Sequence, residues 1–118
     1  MRKVYFLKTC STCTRILKEV NTDDFEMQEI KTNVITKNQV EEMYGLSKSY
    51  EALFNKRAQL YKERDLKNKN LSESDYKNLI LEQYTFLKRP VFIVDNEIFI
   101  GNSKKETDRL KVEIGQLL

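Results

Sequence analysis

Two cysteines three residues apart, Cys10 and Cys13, are the residues of this chain best suited to covalent chemistry. A thiolate is a strong nucleophile, and a second thiol within reach can close a disulfide on the first, so a Cys-x-x-Cys pair supports thiol–disulfide exchange. The flanking sequence decides whether the pair is placed for it. Val4 to Leu7 are four consecutive apolar residues, which suits a strand buried on both faces. From Cys13 the period changes, with Cys13, Ile16, Leu17 and Val20 at i, i+3, i+4 and i+7, the spacing of one helix face. The pair then sits where a strand turns into a helix, and the unpaired N–H groups and positive dipole end of that helix point at Cys10. A thiolate is stabilised in such a place. Cys10 reads as an exposed attacker, and Cys13, on the core-facing stripe, as a buried resolving thiol.

Three other readings of the pair stand beside this one. Zinc takes four protein ligands at a structural site or three plus water at a catalytic one, and these are the only cysteines of a chain with no histidine. An intrachain zinc site would need carboxylates, or two chains each bringing a pair. A structural disulfide between residues so close in sequence would restrain little of the unfolded chain. The blandest reading is two ordinary helix cysteines.

At 118 residues the chain has the length of a single domain, 1–118, with one core. Forty per cent hydrophobic against 33 per cent charged residues, with three glycines and one proline, describes an ordered globular chain. Net charge is +3, from 21 basic against 18 acidic residues, which supports weak attraction of anions but not nucleic-acid binding. Neither a run of 18 apolar residues nor a charged-then-apolar leader is seen, so the expected compartment is the reducing cytoplasm, with no membrane association. Cysteines there serve redox or catalytic roles more often than structural ones.

The elements that must position the pair follow in order. Asn21 to Asp24 is a polar connector, and Phe25 and Met27 alternate with Glu26 and Gln28 as in a half-exposed strand near a sheet edge. Thr36 with Gln39 has the form of a capping box for a helix carrying Val40, Met43 and Tyr44, with Gly45 as its stop. Strand, helix, strand, helix implies a parallel pair with a right-handed crossover. Residues 46–87 carry little strand signal and read as a helical insert packed on one end of the sheet. It comprises a short helix from Ser49 with Tyr50, Leu53 and Phe54, a break at Asn55-Lys56-Arg57, and a polar helix through Leu60 and Tyr61. A linker at 67–70 and a helix opened by Ser72 and Asp75, with Tyr76, Leu79, Ile80 and Gln83 or Tyr84 on its stripe, complete it. Val91 to Val94 is a second fully buried strand, turned at Asp95-Asn96 into Glu97 to Ile100 and ending at Gly101. Ser103 and Glu106 form a third capping box, for a last helix with Leu110, Ile114 and Leu117 inward. The expected class is α/β, in the order βαβα, helical insert, ββα.

This order, with Cys-x-x-Cys after the first strand and the one proline heading a late hairpin, resembles the thioredoxin fold. More narrowly, Thr9 to Arg15, Leu53 to Tyr61, and Leu87-Lys88-Arg89-Pro90-Val91 followed by Gly101 resemble the arsenate reductase and Spx family of glutaredoxin-like proteins. The likeness covers nearly the whole chain, insert included. It implies that Cys10 is the nucleophile, that Arg57 and Arg89 face it to hold an oxyanion, and that Pro90 is cis. Guanidinium forks suit tetrahedral oxyanions, and their charge favours a nearby thiolate. Without the surrounding motifs, each arginine would read as a solvated surface charge.

The resemblance implies two functions. One is a thiol-dependent oxidoreductase that reduces arsenate or a disulfide, without a bound cofactor, using glutathione or another thiol reductant as co-substrate. The other is a redox-sensing regulator resembling Spx, which would bind RNA polymerase through a Cys-x-x-Cys switch. Arsenate-reducing relatives carry a third arginine soon after the hairpin glycine, where this chain has Lys104 and Lys105, with Arg109 further on. Many also carry a single active-site cysteine, whereas the two-cysteine form is that of Spx-like regulators. A third reading is a binding module that keeps the fold without turnover.

Overall fold

The computed structural model describes residues Met1–Leu117, which fold as two compact units, one made of 1–34 with 89–117 and the other of Ile35–Lys88. The first unit holds a four-stranded sheet of β1 (Arg2–Phe6), β2 (Glu26–Glu29), β3 (Val91–Val94) and β4 (Glu97–Ile100), in the order β2-β1-β3-β4. β1 pairs parallel with β2 and antiparallel with β3, and β3 pairs antiparallel with β4. The parallel pair, the edge position of β2 and the β3–β4 hairpin at Asp95-Asn96 are as the sequence predicts. Asp95 takes the left-handed conformation the tight turn requires (φ 55°).

Helices α1 (Ser11–Glu19) and α6 (Lys104–Glu113) cover one sheet face. Val4, Phe92 and Phe99 face one another across β1, β3 and β4, and they pack with Ile16 and Val20 of the first helix and Leu110 of the last. Phe25 meets Phe92 edge-on, with ring centroids 5.5 Å apart. All four β3 residues are buried, as a strand apolar on both faces requires.

The second unit contains α2 (Lys37–Ser47), α3 (Tyr50–Leu53), α4 (Gln59–Glu63) and α5 (Glu73–Glu82), with single 3₁₀ turns at Leu66–Asn68 and Tyr84–Phe86. Thr36 and Ser72 make reciprocal capping boxes with Gln39 and Asp75, and Ser49 caps α3 by accepting from the Ala52 N–H. Phe54 centres this core, stacked on Phe86 (5.1 Å) and against Tyr76 (4.9 Å) and Tyr61 (5.8 Å).

Several local expectations are corrected. Gly45 does not stop α2, which runs on to Ser47 and ends where Lys48 adopts the left-handed conformation (φ 61°). Tertiary context overrides the weak helix propensity of glycine here. Along β2 the faces are reversed, with Met27 45% exposed and Gln28 buried, its side-chain amide donating to the Asn33 carbonyl (3.0 Å). Phe25 lies ahead of the strand, in a turn closed by its N–H on the Thr22 carbonyl, so it does not set the strand's parity. α5 ends at Glu82, leaving Gln83 extended and Tyr84 in the following 3₁₀ turn. Ser103 caps α6, but the Glu106 carboxylate accepts from the Ile100 N–H instead of returning to the cap. Leu117 lies beyond that helix and is 43% exposed.

Candidate functional site

The parallel ladder between β1 and β2 ends at Phe6 paired with Glu29, and the Ile30 N–H still donates to the Phe6 carbonyl (2.9 Å). The chain then turns sharply over Leu7-Lys8-Thr9-Cys10, closed by the Cys10 N–H on the Leu7 carbonyl (3.1 Å). Cys10 is the N-cap residue of α1, extended at φ −91° and ψ 109°, and its carbonyl accepts the Thr14 N–H (3.0 Å). Its side chain makes no capping hydrogen bond. The first N–H groups of a helix have no carbonyl a turn earlier to bond, so this uncapped end directs amide donors and the dipole's positive end at whatever occupies the mouth of α1. The Thr14 hydroxyl donates to the Cys10 and Ser11 carbonyls (3.1 and 2.9 Å), tightening the first turn.

Cys10 is half-buried and Cys13 fully buried, both as free thiols. Burial pushes the Cys13 thiol from an ordinary value of 9.0 up to about 11. The Leu7 N–H donates to its sulfur and opposes that rise. Negative charge on Cys10 holds the proton on Cys13, which donates its S–H toward the Cys10 sulfur, and the positive charge of Arg89 acts in the opposite sense. The two sulfurs and the Arg89 guanidinium therefore lie within electrostatic reach of one another.

Arg89 is half-buried just ahead of β3, and its peptide bond to the buried Pro90 is cis. The Gly101 N–H returns to the Pro90 carbonyl (2.9 Å), with Gly101 at φ 88°, a conformation that favours glycine. Arg57 lies in the second unit, exposed in the turn between α3 and α4, where its N–H donates to the Asn55 side-chain carbonyl (3.1 Å). The residues after Gly101 are engaged elsewhere. Lys104 pairs with Asp108 (2.6 Å), and Arg109 pairs with Glu106 (3.0 Å), donates to the Ile98 carbonyl (2.8 Å) and lies over the Phe99 ring (4.1 Å). Arg109 thus ties α6 to β4.

A family model described as the ArsC family matches residues 5–110, from within β1 to Leu110 of α6. The chain belongs to the ArsC family. An uncharacterized protein of Haemophilus influenzae is 29% identical to it over 114 residues, covering 90% of this chain and 95% of the relative. An ArsC family related protein from Bacteroides fragilis has the same thioredoxin-like fold, with a TM-score of 0.77 at 20% identity over 93% of this chain and 98% of that one. An arsenate reductase from Vibrio cholerae superposes with a TM-score of 0.71 at 18% identity, over 94% and 96% of the two chains. Among the described residues no helix is long and apolar enough to cross a membrane, and no cluster of three or more metal-ligating side chains occurs.

Sequence reading passed over Glu29. It ends β2, and its carboxylate accepts the Lys8 N–H (3.0 Å) in the turn that carries Cys10. Only the pairing of β1 with β2 reveals that contact, because 21 residues separate the two. Thr14 was legible only as a polar position in the first turn of a helix.

Proposed function

We propose that this chain is a thiol-dependent oxidoreductase of the arsenate reductase type, with Cys10 as nucleophile and Cys13 or an external thiol completing the redox step. The observation that carries this reading is Cys10 at the uncapped mouth of α1, with the buried, proton-retaining Cys13 one turn behind it and Arg89 within reach. Family membership and the fold shared with the Vibrio cholerae arsenate reductase support it.

With arsenate, the Cys10 thiolate attacks arsenic(V) and forms a sulfur–arsenic bond as the bond to one arsenate hydroxyl breaks, that hydroxyl taking a proton from solvent and leaving as water. The amides of α1 and the Arg89 guanidinium suit the negative oxygens of that adduct. A second thiolate then attacks the Cys10 sulfur. A disulfide forms, the electron pair of the sulfur–arsenic bond passes to arsenic, and arsenite leaves as arsenic(III) while two thiols are oxidised. With a disulfide substrate, the first attack gives a mixed disulfide and a departing thiolate, and the second closes Cys10 onto its partner. Either way an external thiol restores the reduced enzyme.

A Cys13 thiol at about 11 is ionised to roughly one part in ten thousand at pH 7, and the chain has no histidine to take its proton. Raised in this way, Cys13 attacks as a thiolate only after giving its proton to solvent, and glutathione or another external thiol is the alternative route to completing the cycle. Arg57 enters this reading through the family resemblance, and Arg57→Lys is compared with Arg89→Lys for loss of oxyanion turnover.

The test is turnover of arsenate and of glutathione mixed disulfides by wild type and Cys10→Ser, with intact-protein mass spectrometry to trap the adduct. Turnover and a Cys10 adduct in wild type, both absent in the variant, are expected. Undiminished turnover in the variant would sink the assignment. A wild type that turns over neither substrate, but whose Cys10–Cys13 oxidation changes its retention on RNA polymerase, would replace it with the redox-regulator reading.

A further inference from the structure

We infer that Glu29 is a positioning residue for Cys10, acting through the turn that carries the nucleophile, an inference that rests on the proposed role of Cys10. The parallel ladder supplies backbone partners only as far as Phe6 and Ile30. The next inward donor of β1's extension is the Lys8 N–H, and it is taken by a side chain, Glu29 Oε2, at 3.0 Å. The other carboxylate oxygen, Oε1, accepts the N–H groups of Lys31 and Thr32 (both 2.9 Å) and the Thr32 hydroxyl (3.1 Å). One carboxylate thus ties the turn after β2 to the turn after β1, through four donors of which three are backbone N–H groups.

Lys8 stands second in the four-residue turn closed by the Cys10 N–H on Leu7. Fixing its amide fixes the plane of the Leu7–Lys8 peptide, and with it the carbonyl that holds Cys10 at the helix mouth. Hydrogen bonds to an ionised acceptor are shorter and stronger than neutral ones. Although partial burial works against ionisation, the backbone N–H groups of Lys8, Thr32 and Lys31 hold the Glu29 carboxyl below the usual carboxylate value. Glutamine cannot replace it, because the site presents donors to both oxygens and an amide would turn its own NH₂ on one set.

Thr32 provides the control. Thr32→Ala removes a bond on the β2 side of the carboxylate and leaves the Lys8 bond in place. The alkylation rate of Cys10 by iodoacetamide is measured at neutral pH by peptide mass spectrometry, on wild type, Glu29→Gln, Glu29→Ala and Thr32→Ala, each below its unfolding temperature. Both Glu29 variants are expected to change the Cys10 rate about tenfold or more, since displacements on the order of 1 Å at a reacting group carry effects of that size or larger. Thr32→Ala is expected to keep the wild-type rate even where its melting temperature falls. Equal rates in all four proteins, or an equal change in Thr32→Ala, would overturn the inference.

Amide hydrogen exchange of Lys8 in the wild type gives a check that needs no variant. A protected amide is expected, and one exchanging at the rate of a free amide would overturn the clamp. Turnover separates the two levels of argument. A wild type without turnover whose Cys10 reactivity still depends on Glu29 retracts the oxidoreductase and keeps the clamp. A wild type with turnover whose Glu29 variants alkylate and turn over normally retracts the clamp alone. Where both hold, kcat should fall in the Glu29 variants with KM little changed.

Discussion

At the scale of single residues, the sharpest asymmetry lies between the two thiols. Cys13 is held to about 11 chiefly by burial, above an ordinary 9.0. A group whose folded value is raised contributes stability that is full below the unfolded value and is lost as pH climbs through the folded one. Wild type should therefore lose on the order of 2 kcal/mol between pH 9 and 11 relative to Cys13→Ala. Urea unfolding of both proteins at each pH checks this, and parallel curves would show that Cys13 does not carry the effect. Cys10 and Cys13 were legible as a pair from spacing alone. The bond from the Glu29 carboxylate to the Lys8 amide was not, because it joins residues 21 apart in sequence that only sheet pairing brings together.

At the scale of elements, the caps written in the sequence are largely the caps of the structure. Thr36, Ser49, Ser72 and Ser103 each accept an N–H of the first turn they precede. Local side-chain chemistry decides such contacts, so a local reading finds them. α1 has no side-chain cap, which leaves its first amides to the site. Gly45 shows the opposite limit, since glycine often marks a helix end, yet here it sits inside α2 with nothing within 4 Å of an added Cβ. Gly45→Ala should then stabilise the protein by about 0.5–1 kcal/mol, because alanine costs less conformational entropy in a helix. A denaturant midpoint that rises with an unchanged slope checks it, and a fall would mean that the added methyl meets an obstacle.

At the scale of the whole molecule, each unit has its own core. In the sheet unit, Phe92 lies between Val4 and Phe99 across three strands and meets Phe25 edge-on. Truncation there removes a large buried ring that α1 and α6 pack around. Phe92→Ala should cost about 3–5 kcal/mol, measured by urea unfolding. A cost under about 1 kcal/mol would mean that the site collapses around the missing ring. The β4 edge of the sheet is also closed by side chains. On β4, the Ile100 N–H and the Ile98 carbonyl are occupied by the Glu106 and Arg109 side chains. Side chains that take up edge groups in this way block strand addition. Glu106 was read as a cap partner because its spacing from Ser103 fits, and the competing donor on β4 is 6 residues away in sequence and adjacent only in the fold.

The sequence by itself determined what depends on near neighbours: two fully apolar strands, the helix that begins at Cys10, the capped helices, the hairpin at Asp95-Asn96, and the family to which those pieces belong. Tertiary structure decided the parity of β2, because Phe25 packs from a turn and leaves Gln28 facing inward. It also gave Arg109 to β4 and Phe99, and the Glu29 carboxylate to the turn that carries Cys10. Long charged side chains reach several partners at once, and which partner they take is set by strand pairing and packing between segments far apart in the chain.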